Sequence, residues 1–304
     1  MERILVDTDS GSAQQACVEQ ALQLARRTGA SLRIVEVLPD LPPQARPYLE
    51  GRLEGALAAH LTEGLTRLAA GIHDVPVSTA LLRGRPSSAL IREAVDWKAD
   101  LLIRSHARDL AEPKPRFGAV DMELLRQCPC PVWLVGPDGL GPARRVLAAV
   151  HANPEDALEQ RLNHSILELA RLVAGETGQL TVTQAWAPFG ENLLRHRLSP
   201  AELQEYVTQT RDLARTALDA LVAEFAGGLG EVTIELLRGE PEDVIPAFVQ
   251  THGVDVVVLG TVARGGVAGL LMGNTAERVL QRLHGSVLAV KPPGFQSPLD
   301  PEQG

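Results

Sequence analysis

The chain has few aromatic residues and few cysteines, and it carries no excess of positive charge. Only 3% of its 304 residues are aromatic, so aliphatic side chains must build the core, as in a parallel sheet covered by helices. The formal charge of −9 argues against sequence-independent nucleic-acid binding, which depends on clustered Lys and Arg. Three cysteines are too few for a disulfide framework.

Long hydrophobic runs are also missing from the sequence. The apolar stretches, such as residues 254–260, are far shorter than the roughly 18 residues that a membrane helix requires. The first residues, MERILVDTDS, lack the basic and apolar regions of a secretory signal. We therefore expect a cytoplasmic protein that has neither a membrane nor a nucleic acid as its partner.

An internal repeat organises the chain into two halves. Gly84-Arg-Pro-Ser-Ser matches Gly239-Glu-Pro-Glu-Asp 155 residues later, and about fifty residues align at that offset without a gap. Arg3-Ile-Leu-Val matches Arg145-Val-Leu-Ala at the shorter offset of 142 residues. The 13-residue difference predicts an insertion in the second copy, near residues 187–199. The sequence is a tandem duplication.

Each half is predicted to alternate strands and helices. Pro86 at a first helical turn and Ser199-Pro200-Ala-Glu202, which combines a capping box with a first-turn Pro, mark two helix starts. Strict alternation implies parallel strands with right-handed crossovers. The prediction is an α/β protein of two tandem five-stranded parallel-sheet α/β/α domains. They span residues 1–137 and 145–293, with a linker at 138–144 and a C-terminal tail at 294–304.

A glycine-rich segment follows the fourth strand of the second half, where open parallel sheets bind their ligands. It runs from Gly260 to Glu277. Its glycines would let backbone amides approach phosphate oxygens, Asn274 and Thr275 open a helix whose N-terminus favours an anion, and Arg264 adds a positive charge. The alternative is structural: Asn274 caps the helix, Glu277 closes a capping box, and the glycines only form a loop. The residue types leave both interpretations open.

This segment resembles the phosphate loop of the universal stress protein family, G-x2-G-x9-G-[S/T]. Gly260 and Gly273 match its first and third glycines, whereas Ala263 and Asn274 replace its second Gly and its Ser/Thr. The tandem layout is similar to the long E-type members. The resemblance implies a Rossmann-like, adenine-nucleotide-binding-like fold, with ATP or AMP as the candidate ligand of the second domain and no metal. The implied ligand-binding residues are Gly260, Thr261, Ala263, Arg264, Gly273, Asn274, Thr275, His151 and Asp9.

The two halves depart from the family pattern in different ways. The resemblance implies an Asp beside the adenine and ribose at the end of the first strand, and this position holds Asp9 in the first half but His151 in the second. The first-half loop keeps only Gly118 and contains Pro113 and Pro115. We therefore expect nucleotide binding in the second half and none in the first.

Three smaller groups of residues allow both a chemical and a structural interpretation. His151 could bind a metal with His106 or His164, but no two histidines have the spacing of ligands on one helix face, which favours a polar strand-end residue. Cys128 and Cys130 form a C-x-C pair without the partners that metal or redox chemistry needs, which favours small buried residues.

The third group is acidic: Asp7, Asp9 and Glu36 could meet at strand ends as paired acids. The sequence places no nucleophile or base of known geometry beside them. Solvated strand-end carboxylates are therefore the favoured interpretation.

The leading functional hypothesis is a stress-response regulatory module that binds a small molecule. Its two halves would form an intramolecular pseudo-dimer through the fifth strands, Val132–Val135 and residues 287–290, and a homodimer is the further association that the resemblance implies. One alternative is a slow ATPase or phosphoryl-transfer enzyme, disfavoured because the sequence offers no Walker Lys, Mg²⁺ carboxylate or general base beside the loop. The other alternative is a structural adaptor with two vestigial pockets.

Overall fold

The computed structural model describes residues 1–8, 14–38, 40, 52–106, 117–136, 140–141, 144–225, 228, 230–261 and 272–299. In the described part of the first half, strands and helices alternate as the sequence predicts. In chain order they are β1 (Arg3–Asp7), α1 (Gln14–Thr28), β2 (Ser31–Leu38), α2 (Arg52–Ala70), β3 (Val77–Arg83), α3 (Pro86–Asp96), β4 (Leu101–Ser105), α4 (Ala119–Gln127) and β5 (Val132–Val135).

The described part of the second half repeats this order, with one additional short helix. Its elements are β6 (Arg145–Ala149), α5 (Ala157–Ala174), β7 (Gln179–Trp186), α6 (Glu191–Leu194), α7 (Pro200–Ala223), β8 (Val232–Arg238), α8 (Pro241–His252), β9 (Val256–Gly260), α9 (Asn274–Arg282) and β10 (Ser286–Val290). Helix α6 lies in the predicted insertion. Among these helices none combines the length and the apolar character needed to cross a membrane.

The ten described strands form one continuous sheet in the order β3-β2-β1-β4-β5-β10-β9-β6-β7-β8. Pairing is parallel within each half, and β5 pairs with β10 in the antiparallel sense. Leu288 lies opposite Trp133, and both side chains are fully buried. The predicted pairing of the fifth strands is confirmed. The two α/β/α sandwiches are therefore joined edge to edge through one continuous sheet. The pairing of β5 with β10 leaves neither strand at a free sheet edge.

Arg144 connects the two halves beside the paired strands β5 and β10, which are here called the seam. Its side chain is buried, and Nη1 donates a hydrogen bond to the Val173 carbonyl of the second half at 2.8 Å. Nη2 donates to the side-chain oxygens of Gln20 and Gln23 on α1 in the first half. The guanidinium also lies 5.8 Å from the centroid of the Trp133 ring. Burial, reinforced by the charge of Arg27, lowers the pKa of Arg144 to about 10.

Helices α3 and α7 begin where the local sequence predicts. The leucine side chains of α2, in contrast, are only partly buried. Ser199 caps α7 and Glu202 completes the capping box. On α2, Leu65 is buried, whereas Leu57 is 41% exposed. Leu57 instead lines a cavity of the first half.

Two glycines give opposite expectations for substitution by Ala. A Cβ atom at Gly178 would lie 2.2 Å from the Ala174 carbonyl oxygen and 2.8 Å from that of Arg144, and both are backbone atoms that cannot move cheaply. Gly178→Ala is expected to lower the free energy of unfolding by about 1–3 kcal/mol. Gly64→Ala, at an uncrowded position inside α2, is expected to raise it by roughly 0.5–1 kcal/mol. Urea unfolding measures the free energy of unfolding of both variants. Equal changes in the two variants would contradict the difference in crowding between Gly178 and Gly64.

Candidate functional site

A cavity of about 300 Å³, here called the second-half cavity, opens at the carboxyl ends of β6 and β9. Ala149 and Leu259 line it from these strands, and the first turn of α9 lines another side. Leu162 and Ile166 of α5 add an apolar wall. The carboxyl ends of strands are where open parallel sheets place their ligand sites.

Five of the nine residues predicted from the sequence meet at this cavity. They are His151, Gly260, Gly273, Asn274 and Thr275. Three others, Asp9, Ala263 and Arg264, lie outside the described residues.

Thr261 is buried behind the wall of the second-half cavity and does not line it. Its hydroxyl accepts a hydrogen bond from Lys291 Nζ at 2.9 Å. Its backbone carbonyl accepts one from the Gly273 amide at 2.8 Å. Thr261 therefore holds Gly273 in position, whereas the resemblance assigns it to the ligand itself.

Helix α9 presents its first turn to the cavity without a side-chain cap. Gly273 is the N-cap residue, with φ −64° and ψ 138°, and it has no side chain that could accept from the helix amides. Asn274 is the first residue of the helix and is exposed. The Glu277 carboxylate binds Arg126 of α4 at 2.5 Å instead of closing a capping box. The structural interpretation of Asn274 and Glu277 is therefore wrong, and no side chain of the described residues caps the first-turn amides, which can bind an anion.

His151 is held at the cavity rim by its backbone. The Asn163 side chain is buried, accepts a hydrogen bond from the His151 amide at 3.2 Å and donates one to the His151 carbonyl at 2.8 Å. His151 Nε2 lies 3.8 Å from Glu159 Oε2. The imidazole and this carboxylate thus face the cavity together.

The three histidines considered as metal ligands contact different partners. His106 Nε2 lies 3.0 Å from the Gly285 carbonyl, and His164 Nε2 lies 3.0 Å from a Glu224 oxygen. In the part of the chain that the structure describes, no group of three or more His, Cys, Asp or Glu side chains is placed to hold a metal.

Several cavity residues were not identified from the sequence. They lie on β7, α5 and α8, and none belongs to a recognisable motif: Glu159, Leu162, Asn163, Ile166, Ala185, Pro241 and Ile245. One signal was available for Pro241, because the internal repeat aligns it with Pro86, a residue that lines the first-half cavity.

The first half has a cavity of about 340 Å³ at the corresponding strand ends, but an ion-pair triad occupies its floor. Arg104 binds Asp7 and also donates from Nε to Asp121 Oδ1 at 3.0 Å. Asp7 is 2% exposed and Asp121 is 5% exposed. The prediction of solvated strand-end carboxylates is therefore wrong for Asp7, and Glu36 is buried as well.

The internal repeat shows what stands at these positions in the second half. Asp7, Arg104 and Asp121 align with Ala149, Leu259 and Ala276. All three second-half residues line the second-half cavity. Where the first half has three charged side chains, the second half has three apolar side chains that line its cavity.

The fold and the cavity define a tandem α/β/α protein with a small-molecule-sized site at the strand ends of its second half. The sequence model of the Universal stress protein family matches residues 1–136 and 143–291. The chain belongs to the universal stress protein family.

Individual relatives agree with this assignment along nearly the whole chain. The chain is 27% identical to Universal stress protein E of Escherichia coli strain K12, covering 98% of this chain and 96% of that protein. A functionally unknown protein from Pseudomonas aeruginosa PAO1 has a similar structure, with a TM-score of 0.68, 26% identity and 96% and 93% of the two chains covered. A universal stress protein from Archaeoglobus fulgidus shares the fold, with a TM-score of 0.63, 20% identity and 95% and 98% covered.

Proposed function

We propose that the protein is a cytoplasmic stress-response regulatory module that binds an adenine nucleotide, ATP or AMP, or another small anionic ligand in the second-half cavity. The observation that carries this proposal is the uncapped first turn of α9 opening on a cavity with apolar walls. The domain boundaries 1–137, 138–144, 145–293 and 294–304, and a homodimer beyond the intramolecular pairing, remain predictions.

The phosphate end of the ligand would lie at the first turn of α9. Free backbone amides at a helix N-terminus and the positive end of the helix dipole favour negative charge. The described residues that line the cavity include no Lys or Arg, so these amides supply most of the attraction, together with Arg264 of the preceding segment. A volume of about 300 Å³ is at the lower end of the range for small-molecule pockets.

The base and the sugar would lie against the aliphatic wall and the His151 rim. Leu162 and Ile166 of α5 and, from the other face of the sheet, Ile245 of α8 offer apolar contacts to a planar ring. His151 and Glu159 offer a ring nitrogen and a carboxylate oxygen to sugar hydroxyls or an exocyclic amine. Glu159 thus contributes a carboxylate near the position where the family pattern has Asp and this half has His151.

Gly273→Val tests the phosphate end, because it puts a branched side chain where backbone must approach the anion. Calorimetric titration with ATP and with AMP is expected to show at least a tenfold loss of affinity. The matched control is Gly118→Val at the equivalent position of the first half, which is expected to leave affinity unchanged. A Gly273→Val protein that binds as tightly as the parent would refute the site.

The identity of the ligand is tested by mass spectrometry of the gently purified protein. A co-purified adenine nucleotide supports the proposal, and a different small molecule replaces it as the ligand. A protein without any bound molecule favours the structural adaptor, and release of phosphate from added ATP favours the enzyme. Residues 1–140 alone are expected to bind no nucleotide, because the carboxylates of Asp7 and Glu36 line the equivalent cavity of the first half and would repel phosphate.

A further inference from the structure

Two cysteines lie side by side where α4 ends. Cys128 is the residue that ends the helix, and its amide donates to the Leu124 carbonyl at 3.0 Å. The Cys128 and Cys130 sulfurs are 3.5 Å apart, within hydrogen-bond distance of each other. Cys128 is fully buried and Cys130 is 6% exposed. Because Pro129 separates them and Pro131 follows, the local backbone keeps the two thiols together.

A buried lysine from the other half lies against the same helix end. Lys291 directly follows β10, and its Nζ donates to Thr261 Oγ1 at 2.9 Å, to the Arg126 carbonyl at 3.2 Å and to the Leu125 carbonyl. No carboxylate of the described residues forms an ion pair with it. A buried ammonium needs a negative partner. A thiolate at the end of α4 would supply that charge, in addition to the Phe295 ring, whose centroid lies 4.9 Å from Nζ.

The pKa shifts of the two cysteines and of Lys291 agree with the positions of these side chains. The hydrogen bond from Cys130 and the charge of Lys291 lower the pKa of Cys128, whereas donating that hydrogen bond raises the pKa of Cys130. Burial lowers the pKa of Lys291 to about 8, and the charge on the two cysteines opposes this shift. Either sulfur can donate the hydrogen bond that joins the pair, and the thiolate is assigned to Cys128 because Lys291 binds the last turn of the helix that Cys128 ends.

We propose that Cys128 and Cys130 are a redox site that a hydroperoxide converts to a disulfide and that a dithiol converts back. This site is independent of the ligand proposed for the second-half cavity. Because both sulfurs are buried, the structure favours a small oxidant such as hydrogen peroxide over bulky disulfides.

The oxidation takes two steps. The Cys128 thiolate attacks one peroxide oxygen, so an S–O bond forms and the O–O bond breaks, giving a sulfenic acid and hydroxide, which takes a proton from the Lys291 ammonium. The Cys130 sulfur then attacks the Cys128 sulfur, so an S–S bond forms, the S–O bond breaks and water leaves with the Cys130 proton. Two electrons pass from the thiol pair to the peroxide.

The movement that this chemistry requires is small. The sulfurs have to approach from 3.5 Å to the S–S bond length of about 2.05 Å. Cys17 provides an internal contrast: it is equally buried, burial raises its pKa to about 12, and no second thiol of the described residues hydrogen-bonds to it.

The test treats the full chain with hydrogen peroxide, unfolds it in denaturant, alkylates free thiols and maps the peptides by mass. The number of thiols that can be alkylated is expected to fall from three to one. The peptide that contains Cys128 and Cys130 should be two hydrogens lighter than its unalkylated dithiol form. Dithiothreitol should restore both thiols. The remaining alkylated thiol is expected to be Cys17. Retention of all three thiols, or oxidation only to sulfinic and sulfonic acids, would overturn the proposal.

Two cysteine variants separate the roles of the sulfurs. Cys130→Ser is expected to stop at the sulfenic acid, so a dimedone adduct should form on Cys128. Cys128→Ser should give no comparable adduct on Cys130. Cys17→Ser is the control and should leave the disulfide yield unchanged. Equal dimedone labelling in the two single variants would contradict the assigned order of attack.

Lys291→Met tests the positioning role of the ammonium. Besides Lys291, the charged group that acts on the thiol pair is Asp100, which raises the pKa of Cys130. Loss of the cation is expected to slow disulfide formation about tenfold at neutral pH and to move its pH profile upward, since one pKa unit is a tenfold change in thiolate. A melting temperature close to the parent's would show that the fold is intact. An unchanged rate and pH profile would exclude this role.

Discussion

Arg104→Leu is expected to lower the free energy of unfolding by about 3–5 kcal/mol, because breaking a buried ion pair from one side leaves an uncompensated charge. The variant keeps Asp7 and Asp121 in a buried environment and removes the guanidinium that binds both. Among the described residues, Asp121 would retain the Gly118 amide, which donates to its Oδ2 at 3.0 Å. Urea unfolding at neutral pH measures the loss.

A matched triple variant distinguishes lost charge balance from lost packing. Asp7→Ala, Arg104→Leu and Asp121→Ala together install the residues that the second half has at these positions, namely Ala149, Leu259 and Ala276. We expect this variant to recover most of the stability, because replacing a complete buried ion-pair network by apolar residues is often neutral. If the triple variant is as unstable as Arg104→Leu alone, the triad has a packing role that the second half does not share.

The fold could be predicted largely because the internal repeat supplies two examples of each element. Pro86 and Pro241 both open a helix after a glycine-containing turn, and the 13-residue difference between the offsets correctly predicts an insertion, which contains α6. The pairing of β5 with β10 was implied by the resemblance to the universal stress protein family, and it also covers two apolar sheet edges. Arg144, which braces this seam, carries no such signal because its partners lie on helices of both halves.

The site could be predicted only where it follows a motif. The loop pattern identified Gly260 and Gly273, but Asn163 and Glu159 come from a helix whose sequence has no distinguishing pattern. Asp7 was interpreted as solvated because its partner Arg104 is 97 residues away in the chain. Interactions of this kind depend on which strands become neighbours, and a single sequence does not encode them locally.

The isolated second half, residues 141–304, is expected to form a dimer. In the full chain β10 lies between β9 and β5, and all five of its residues are buried. Removing the first half exposes Val287, Leu288 and Ala289 along one sheet edge, and such an edge pairs with the next available strand. A second copy of β10 is that strand, because an antiparallel pair of β10 strands imitates the native pairing with β5. Sedimentation at tens of micromolar should give twice the monomer mass.

Competition with the first half shows whether the dimer uses the native seam. Adding residues 1–140 is expected to convert the homodimer into a one-to-one complex, because only the first half supplies Trp133 for Leu288 and the two glutamines for Arg144. Leu288→Lys, with folding verified by circular dichroism, should weaken both associations because it places a charge inside the seam. A well-folded monomer at high micromolar concentration would mean that covering the β10 edge is not what holds the halves together. A homodimer that ignores the added first half would place the fragment's interface on another surface.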